Sequence, residues 1–207
     1  MPKFPDPPPP QELARIGPEL RIVSRNTLLW RVYFRGGPFP SQWNELRTFG
    51  PTGSRFDHQT LPKRVQTRAV LYAAEHGPTC IAEVFQDTRV IDRTDRAPWL
   101  VAFRLARDIT LLDTTGAWPT RVGASTALHS GARTRARHWA QAIYEAYPNV
   151  EGILYCSSMD ANRPAHAVWE RAASSLPPSP EFHRALADPA ILPELEGAAL
   201  RFNYAIV

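Results

Sequence analysis

The sequence predicts an α+β fold built as a single domain, on three observations. Short stretches dense in β-branched and aromatic residues recur along the chain, led by TLLWRVYF at residues 27–34. One segment, residues 132–147, instead repeats apolar side chains every three or four positions. The length, 207 residues, is ample for one hydrophobic core and short for two.

Each element follows from its own residues. Residues 1–12 carry a cluster of prolines and predict an extended, mobile arm of polyproline II character, with docking to an SH3-like partner as the other reading. The domain proper is set at residues 21–207 and the arm at 1–20. Residues 27–34 end at Gly36-Gly37 and read as a strand. From residue 36 to 63 the pattern breaks into Gly- and Pro-rich pieces, a long loop of the kind that often carries function. A second strand covers residues 69–74. Pro78-Thr79 then opens a short helix over residues 80–85, with Thr79 as its candidate N-cap.

Residues 99–105 and 109–113 read as strands, and residues 114–126 as loop. The helix at 132–147 turns Ala132, Ala136, Trp139, Ala140, Ile143 and Tyr147 toward the core. GILYC, residues 152–156, is a short apolar strand. A helix is expected at 164–173 from Ala165, Val168, Trp169 and Ala172, short helices at 181–187 and 191–195, and a closing strand at 200–207.

Composition bounds the function classes. The net charge is +4, and all the lysines are Lys3 and Lys63, so arginine supplies the rest of the cations. Arginine suits bidentate pairing with carboxylate or phosphate, which favours an anionic ligand, although an arginine-rich genome produces the same bias. Cys80 and Cys156 both lie in apolar segments, which predicts buried free thiols rather than a disulfide framework. No metal-ligand spacing links them to the histidines. The first residues contain no apolar signal sequence and no run is long enough to span a membrane, so a cytoplasmic location is expected.

Several residues stand out against these patterns. Glu83 is flanked by Ile81, Ala82, Val84 and Phe85, and a carboxylate there needs a partner or a task. Its place early in a helix offers a plainer account, since a negative charge suits the helix dipole. Arg31 sits among Leu29, Trp30, Val32 and Tyr33, where simple alternation would also turn it outward. In FGPTGSRFD, Gly50 and Gly53 let the backbone approach a ligand that Arg55 would meet. Tyr72 is either a packed core ring or a stacking surface. Ser157 and Ser158 follow a strand's carboxyl end, where ligands often sit and where turn residues and caps are equally at home. Arg133 and Arg137 share one face of the helix, either solvated or a contact for nucleic acid or an acidic partner; a nucleic-acid contact would also draw on Arg135, although the three alternate around the helix.

Taken in order, LWRVY around Arg31, the glycine-rich segment reaching Arg55, VLYAAE and TCIAEV through Tyr72 and Glu83, and GILYCSS at Ser157 resemble the RES domain. The resemblance spans residues 28–169. The loop departs from the family's G-G-R-W-N pattern: an extra residue separates glycine from arginine, Phe56-Asp57 replaces Trp-Asn, and the connection to Tyr72 is longer. The family is named for its arginine, glutamate and serine. The resemblance implies an ADP-ribosyltransferase-like arrangement of mixed and antiparallel sheets with flanking helices. It also implies a toxin of a toxin–antitoxin pair, with an Xre-type helix-turn-helix antitoxin as partner and no direct nucleic-acid contact. NAD is then substrate rather than cofactor, and inorganic phosphate the co-substrate of an NAD phosphorylase; no metal is implied.

Matched residue by residue, Arg31, Arg55, Tyr72, Glu83 and Ser157 fall on the family's NAD-site positions, with Glu83, Arg31 and Ser157 as the catalytic set. Breaking the nicotinamide–ribose bond builds positive charge on the ribose, which a carboxylate beneath it favours. The arginines suit the NAD pyrophosphate and an incoming phosphate. Water or a protein side chain as acceptor would make the chain a glycohydrolase or an ADP-ribosyltransferase. A reading of another class is a non-catalytic module that binds protein or nucleic acid.

Overall fold

The computed structural model of the chain describes residues 3–160 and 162–207. One turn of helix, α1 (Pro10–Leu13), precedes strands β1 (Leu20–Val23), β2 (Leu28–Phe34), β3 (Arg47–Gly50) and β4 (Arg64–Ala74). Helix α2 (Gly77–Val84) follows, then β5 (Val90–Ile91), β6 (Pro98–Arg104) and β7 (Ile109–Asp113). Helices α3 (Trp118–Arg121), α4 (Ala127–Ser130) and α5 (Arg133–Ala146) lead to β8 (Gly152–Cys156) and β9 (Pro164–Trp169). A 3-10 helix (Glu170–Ser175), β10 (Phe182–Ala185), helix α6 (Leu192–Phe202) and β11 (Ala205–Ile206) complete the chain.

Among the described residues nine strands share one mixed sheet, in the order β1-β7-β8-β9-β4-β2-β6-β10 with β3 paired onto β4. Its neighbours are antiparallel except for β7 and β8, which run parallel. Strand alternation splits the buried side chains between two faces. Along β4, Val70 and Ala74 join a core formed with α2, α5 and α6, while Leu71 and Ala73 join a second core with Leu29, Tyr33, Trp43 and Phe103. The result is an α+β single domain with a mixed sheet and flanking helices.

Where β2 and β4 meet, the sheet opens. Their ladder holds a single register pair, Trp30 with Ala74, although β2 pairs with β6 along its whole length. Beyond that point the two strands diverge and β3 takes up the same edge of β4, Arg47 standing opposite Val70, while Val32, Phe34, Val70 and Tyr72 line the cleft that results. A backbone N–H exposed by such a split must find another partner. Val32 N–H donates to the Cys80 thiol sulfur at 3.0 Å, which ties α2 to the parted strand.

Several sequence expectations need correction. Residues 164–173 form β9 and a 3-10 helix, not an α-helix. Every residue from Ala165 to Trp169 is buried between β8 and β4, and a strand buried on both faces loses the alternation that would have marked it. Residues 182–185 of the expected helix at 181–187 are likewise an edge strand on β6. The expected closing strand at 200–207 begins instead with the last turn of α6, residues 200–202. Asn203 ends that helix in the left-handed conformation, φ 55°, and a two-residue strand remains. The loop at 36–63 contains β3, and the loop at 114–126 contains α3. Helix α2 begins at Gly77 with His76 in the capping position; Thr79 lies inside the first turn, its hydroxyl bonded to Asp160. In α5 the core stripe runs through Ala136, Trp139, Ala140 and Ile143, whereas Ala132 precedes the helix and is exposed.

The proline-rich arm is docked rather than mobile over residues 3–13; Met1 and Pro2 lie outside the described residues. Phe4 and Leu13 are buried in the main core. Prolines present carbonyls with no matching N–H, so donors must come from elsewhere. Trp139 Nε1–H donates to the Pro5 carbonyl at 2.9 Å, and the Tyr147 hydroxyl shares its one hydrogen between the Leu13 and Ile16 carbonyls at 2.9 and 2.7 Å. Among the described residues no helix is long and apolar enough to cross a membrane, and no cluster of metal-ligating side chains occurs.

Candidate active site

The gap between β2 and β4 continues into a cleft of about 830 Å³. Arg31, Arg55, Tyr72 and Glu83 line it, and Ser157 lies buried just beneath Glu83. Helix α2 and the end of β8 bring the last pair together. Glu83 occupies the final turn of α2, half-buried, and its Oε1 accepts from the Ser157 hydroxyl at 2.5 Å. The Ser157 oxygen in turn accepts from the backbone N–H groups of Met159 and Asp160 at 3.1 and 3.2 Å. Glu83 therefore has its salt-free partner in a hydroxyl, and its other carboxylate oxygen is left for the cleft. Ser158, the neighbour of Ser157, is exposed and lines the opening.

The loop after β8 is itself held. Asp160, almost fully buried, accepts from the Thr79 hydroxyl of α2 and from the Arg201 guanidinium of α6, the latter at 2.5 Å. The Tyr204 hydroxyl reaches the Ala82 carbonyl at 3.3 Å, and the face of Trp30 lies against Gly77. Helix α2 is thus fixed at both ends by groups distant in sequence.

Two guanidiniums at the cleft lack a carboxylate partner among the described residues. Arg31 donates to the Trp43 and Glu45 carbonyls at 2.8 and 3.0 Å. Burial pulls its pKa down to about 10, so it stays charged at neutral pH. Arg55 donates to the Gly131 carbonyl at 2.6 Å, and its pKa is lowered first by burial and then by the neighbouring Arg133. Glu83 acts in the opposite direction on Arg55, and it is also among the causes that raise Tyr155 and Cys80, placing its charge among all three. Arg133 makes an ion pair with the exposed Asp87 at 3.2 Å.

Tyr72 presents its ring to the cleft while its hydroxyl is committed. It donates to Asp57 Oδ1 at 2.9 Å and accepts from the Phe56 N–H at 3.1 Å. Burial raises the phenol's pKa well above its usual value, so it remains a neutral donor. Asp57 organises the whole loop: fully buried, it also takes Arg47 at 2.5 Å and the Thr52 N–H at 2.6 Å. The irregular segment that carries Arg55 is therefore pinned by the aspartate two residues further on. In the sequence Asp57 is marked only as part of the loop's departure from the family pattern, and Arg47 is not marked at all. A lone aspartate in a glycine-rich loop gives no signal of its own, and its partners come from β3 and β4.

His129 was also missed and lines the cleft. The Thr114 hydroxyl donates to the Leu154 carbonyl at 2.7 Å, so His129 Nε2, 3.1 Å from that oxygen, is the donor between them. Burial first and Arg55 second lower its pKa to about 4, and it is neutral at pH 7. The three arginines of α5 have separate settings: Arg133 faces the cleft, Arg135 bonds the Phe4 carbonyl at 2.5 Å, and Arg137 bonds Thr134. Both cysteines are free, Cys80 buried and Cys156 partly so.

These features define a class: an α+β domain whose mixed sheet parts around an acidic residue and two uncompensated arginines. The chain belongs to the RES domain family, whose model matches residues 28–187. The same fold occurs in a solved structure described as "Crystal structure of the M.tuberculosis MbcT-MbcA toxin-antitoxin complex". The matching chain there has a TM-score of 0.56 at 16% identity, over 85% of this chain and 92% of that one. Among curated proteins none matches this chain.

Proposed function

We propose that the chain is the toxin of a toxin–antitoxin pair and that it destroys NAD by phosphorolysis of the nicotinamide–ribose bond. The observation that carries the reading is the cleft itself. One carboxylate held by a hydroxyl stands in the same cavity as two half-buried cations that lack a carboxylate of their own. Charges partly withdrawn from water and left without an opposite charge are costly, and an anionic ligand removes that cost. A dinucleotide supplies both the anion, in its pyrophosphate, and a reacting ribose for Glu83.

In this reading Glu83 lies under the ribose as the C1–nitrogen bond lengthens. Its charge stabilises the oxocarbenium-like transition state, an effect worth about 3–4 kcal/mol for a preorganised group. Ser157 fixes the carboxylate so that little reorganisation is needed at that moment. The pyridinium nitrogen takes the bonding pair and nicotinamide departs neutral. A phosphate oxygen then forms the new bond to C1, giving ADP-ribose 1-phosphate. Arg31 and Arg55 divide the two anions between them, one at the pyrophosphate and one at the incoming phosphate. The ring of Tyr72 supplies a stacking face, its hydroxyl being already occupied.

The fold shared with a toxin in a toxin–antitoxin complex supports a protein partner for this chain as well. We assign that partner to the helix-turn-helix antitoxin class and the site of action to the cytoplasm. The test is product identity. NAD incubated with the protein in phosphate buffer should yield nicotinamide and ADP-ribose 1-phosphate by mass, and turnover should fall away without phosphate. Free ADP-ribose formed at the same rate in both buffers would replace phosphorolysis with hydrolysis. Glu83→Ala should lower NAD consumption at least a hundredfold with the fold retained. Full activity in that variant would remove the reading.

A further inference from the structure

We propose that Phe4 of the N-terminal arm is a positioning residue for Arg55. The arm precedes the segment matched by the family, yet it is built into the wall of the cleft. The Phe4 ring is buried and lies directly on Gly131. A Cβ at Gly131 would stand 2.9 Å from that ring and 2.7 Å from the Ala127 carbonyl oxygen, so glycine alone allows the approach. Gly131 closes the α4 turn, its N–H donating to the Ala127 carbonyl at 2.6 Å. Its own carbonyl is the acceptor that holds the Arg55 guanidinium. Phe4, Gly131 and Arg55 therefore form one line of contact from the arm to the cleft.

The anchoring of the arm fits that task. Arg135 donates to the Phe4 carbonyl at 2.5 Å, and Trp139 fixes the next carbonyl along. Both donors stand on α5, which begins two residues after Gly131. The same helix therefore sets the position of the ring and the position of the turn beneath it. Arg55 carries like charge from Arg133 and has no carboxylate partner among the described residues, so the Gly131 carbonyl is what opposes its displacement. With the ring removed, the turn loses its cover and the guanidinium loses its fixed acceptor. Phe4 itself does not line the cleft.

The proposal rests on Arg55 being an anion-binding group of the proposed NAD site, and its test separates the two readings. In the full chain Phe4→Ala should raise the KM for NAD or for phosphate about tenfold, the loss of one hydrogen bond to a charged group, with kcat within about twofold. Phe4→Leu should restore most of the loss, and Lys3→Ala, which changes an exposed neighbour, should have no effect. Combining Phe4→Ala with Arg55→Ala should add nothing to Arg55→Ala alone. Hydrogen exchange at the amides of residues 128–131, read without ligand, should quicken in Phe4→Ala. Unchanged exchange there overturns the positioning role whether or not NAD is consumed. Faster exchange with unchanged KM values for both substrates overturns the link to Arg55. Absence of NAD turnover in the parent chain would refute the proposed function and leave the exchange experiment to decide the arm.

Discussion

At Ser157 one hydroxyl completes three hydrogen bonds: it donates to Glu83 and accepts from two successive backbone N–H groups. The backbone donors fix the oxygen, and the fixed oxygen fixes the carboxylate. Ser157→Ala removes all three at once while leaving the fold's apolar contacts intact. We expect kcat for NAD consumption to fall about ten- to a hundredfold with KM nearly unchanged, because a bond to a charged group of this kind is worth ~1.5–3 kcal/mol. A kcat equal to that of the parent would mean Glu83 needs no orientation. Of the residues picked out in the sequence, Arg31, Arg55, Tyr72, Glu83 and Ser157 all lie at one cleft. They were legible because each interrupts an apolar run or sits in a motif of fixed order. Asp57 and His129 were not legible, because what distinguishes them is burial and partners on other elements: Arg47 of β3 and Tyr72 of β4 for Asp57, and Thr114 for His129.

At the scale of elements the cleft depends on α2, a helix of eight residues that would be marginal alone. Its hold comes from tertiary contacts: Cys80 on β2, Thr79 on Asp160, and Tyr204 on the Ala82 carbonyl. Arg201 supplies the cation for Asp160 from α6, a helix that lies beyond the family-matched segment. Arg201→Met should therefore destabilise the chain by ~1–2 kcal/mol, a half-exposed partner of a buried carboxylate being worth less than a fully buried one. The melting temperature should drop by about 2–8 °C in a chain of this size. Activity should fall with it, since the Asp160 N–H is one of the donors to Ser157; a melt and a kinetic assay on the same sample check both. The legibility of elements followed their environment. β2, β7, β8 and α5 were readable because composition or three–four spacing matched the element formed. β9 was not, since apolar residues at helical spacing are also what a strand buried on both faces contains. The single register pair between β2 and β4, from which the cleft arises, is a relation between strands and leaves no local pattern.

For the molecule as a whole, acid should act most through the two groups displaced furthest toward their less protonated form, with His58 and His183 lowered by burial and Glu75 lowered by its bond to His166 in the same direction. His129 has its pKa lowered to about 4, first by burial and next by Arg55, and Glu170 to about 2, where hydrogen bonds from His58, Tyr144 and the Ala69 N–H outweigh the opposing burial. Each group binds a proton more readily in the unfolded chain, so lowering the pH favours unfolding. For His129 the stabilisation is complete above the ordinary histidine value of 6.5 and is lost as pH falls from there to about 4. For Glu170 it is complete above 4.5 and is lost between there and about 2. The histidine contribution corresponds to about 3 kcal/mol at most, from ~1.4 kcal/mol for each unit of displacement. Urea midpoints should therefore hold steady from pH 8 to 7, decline from 6.5 downward, and decline again below 4.5. His129→Gln, which keeps a donor for Thr114 but cannot take up a proton, should make the first decline shallower, His58 and His183 keeping the remainder, and leave the second. A variant that keeps the full slope between pH 6.5 and 4.5 would show that His129 is not the group being titrated.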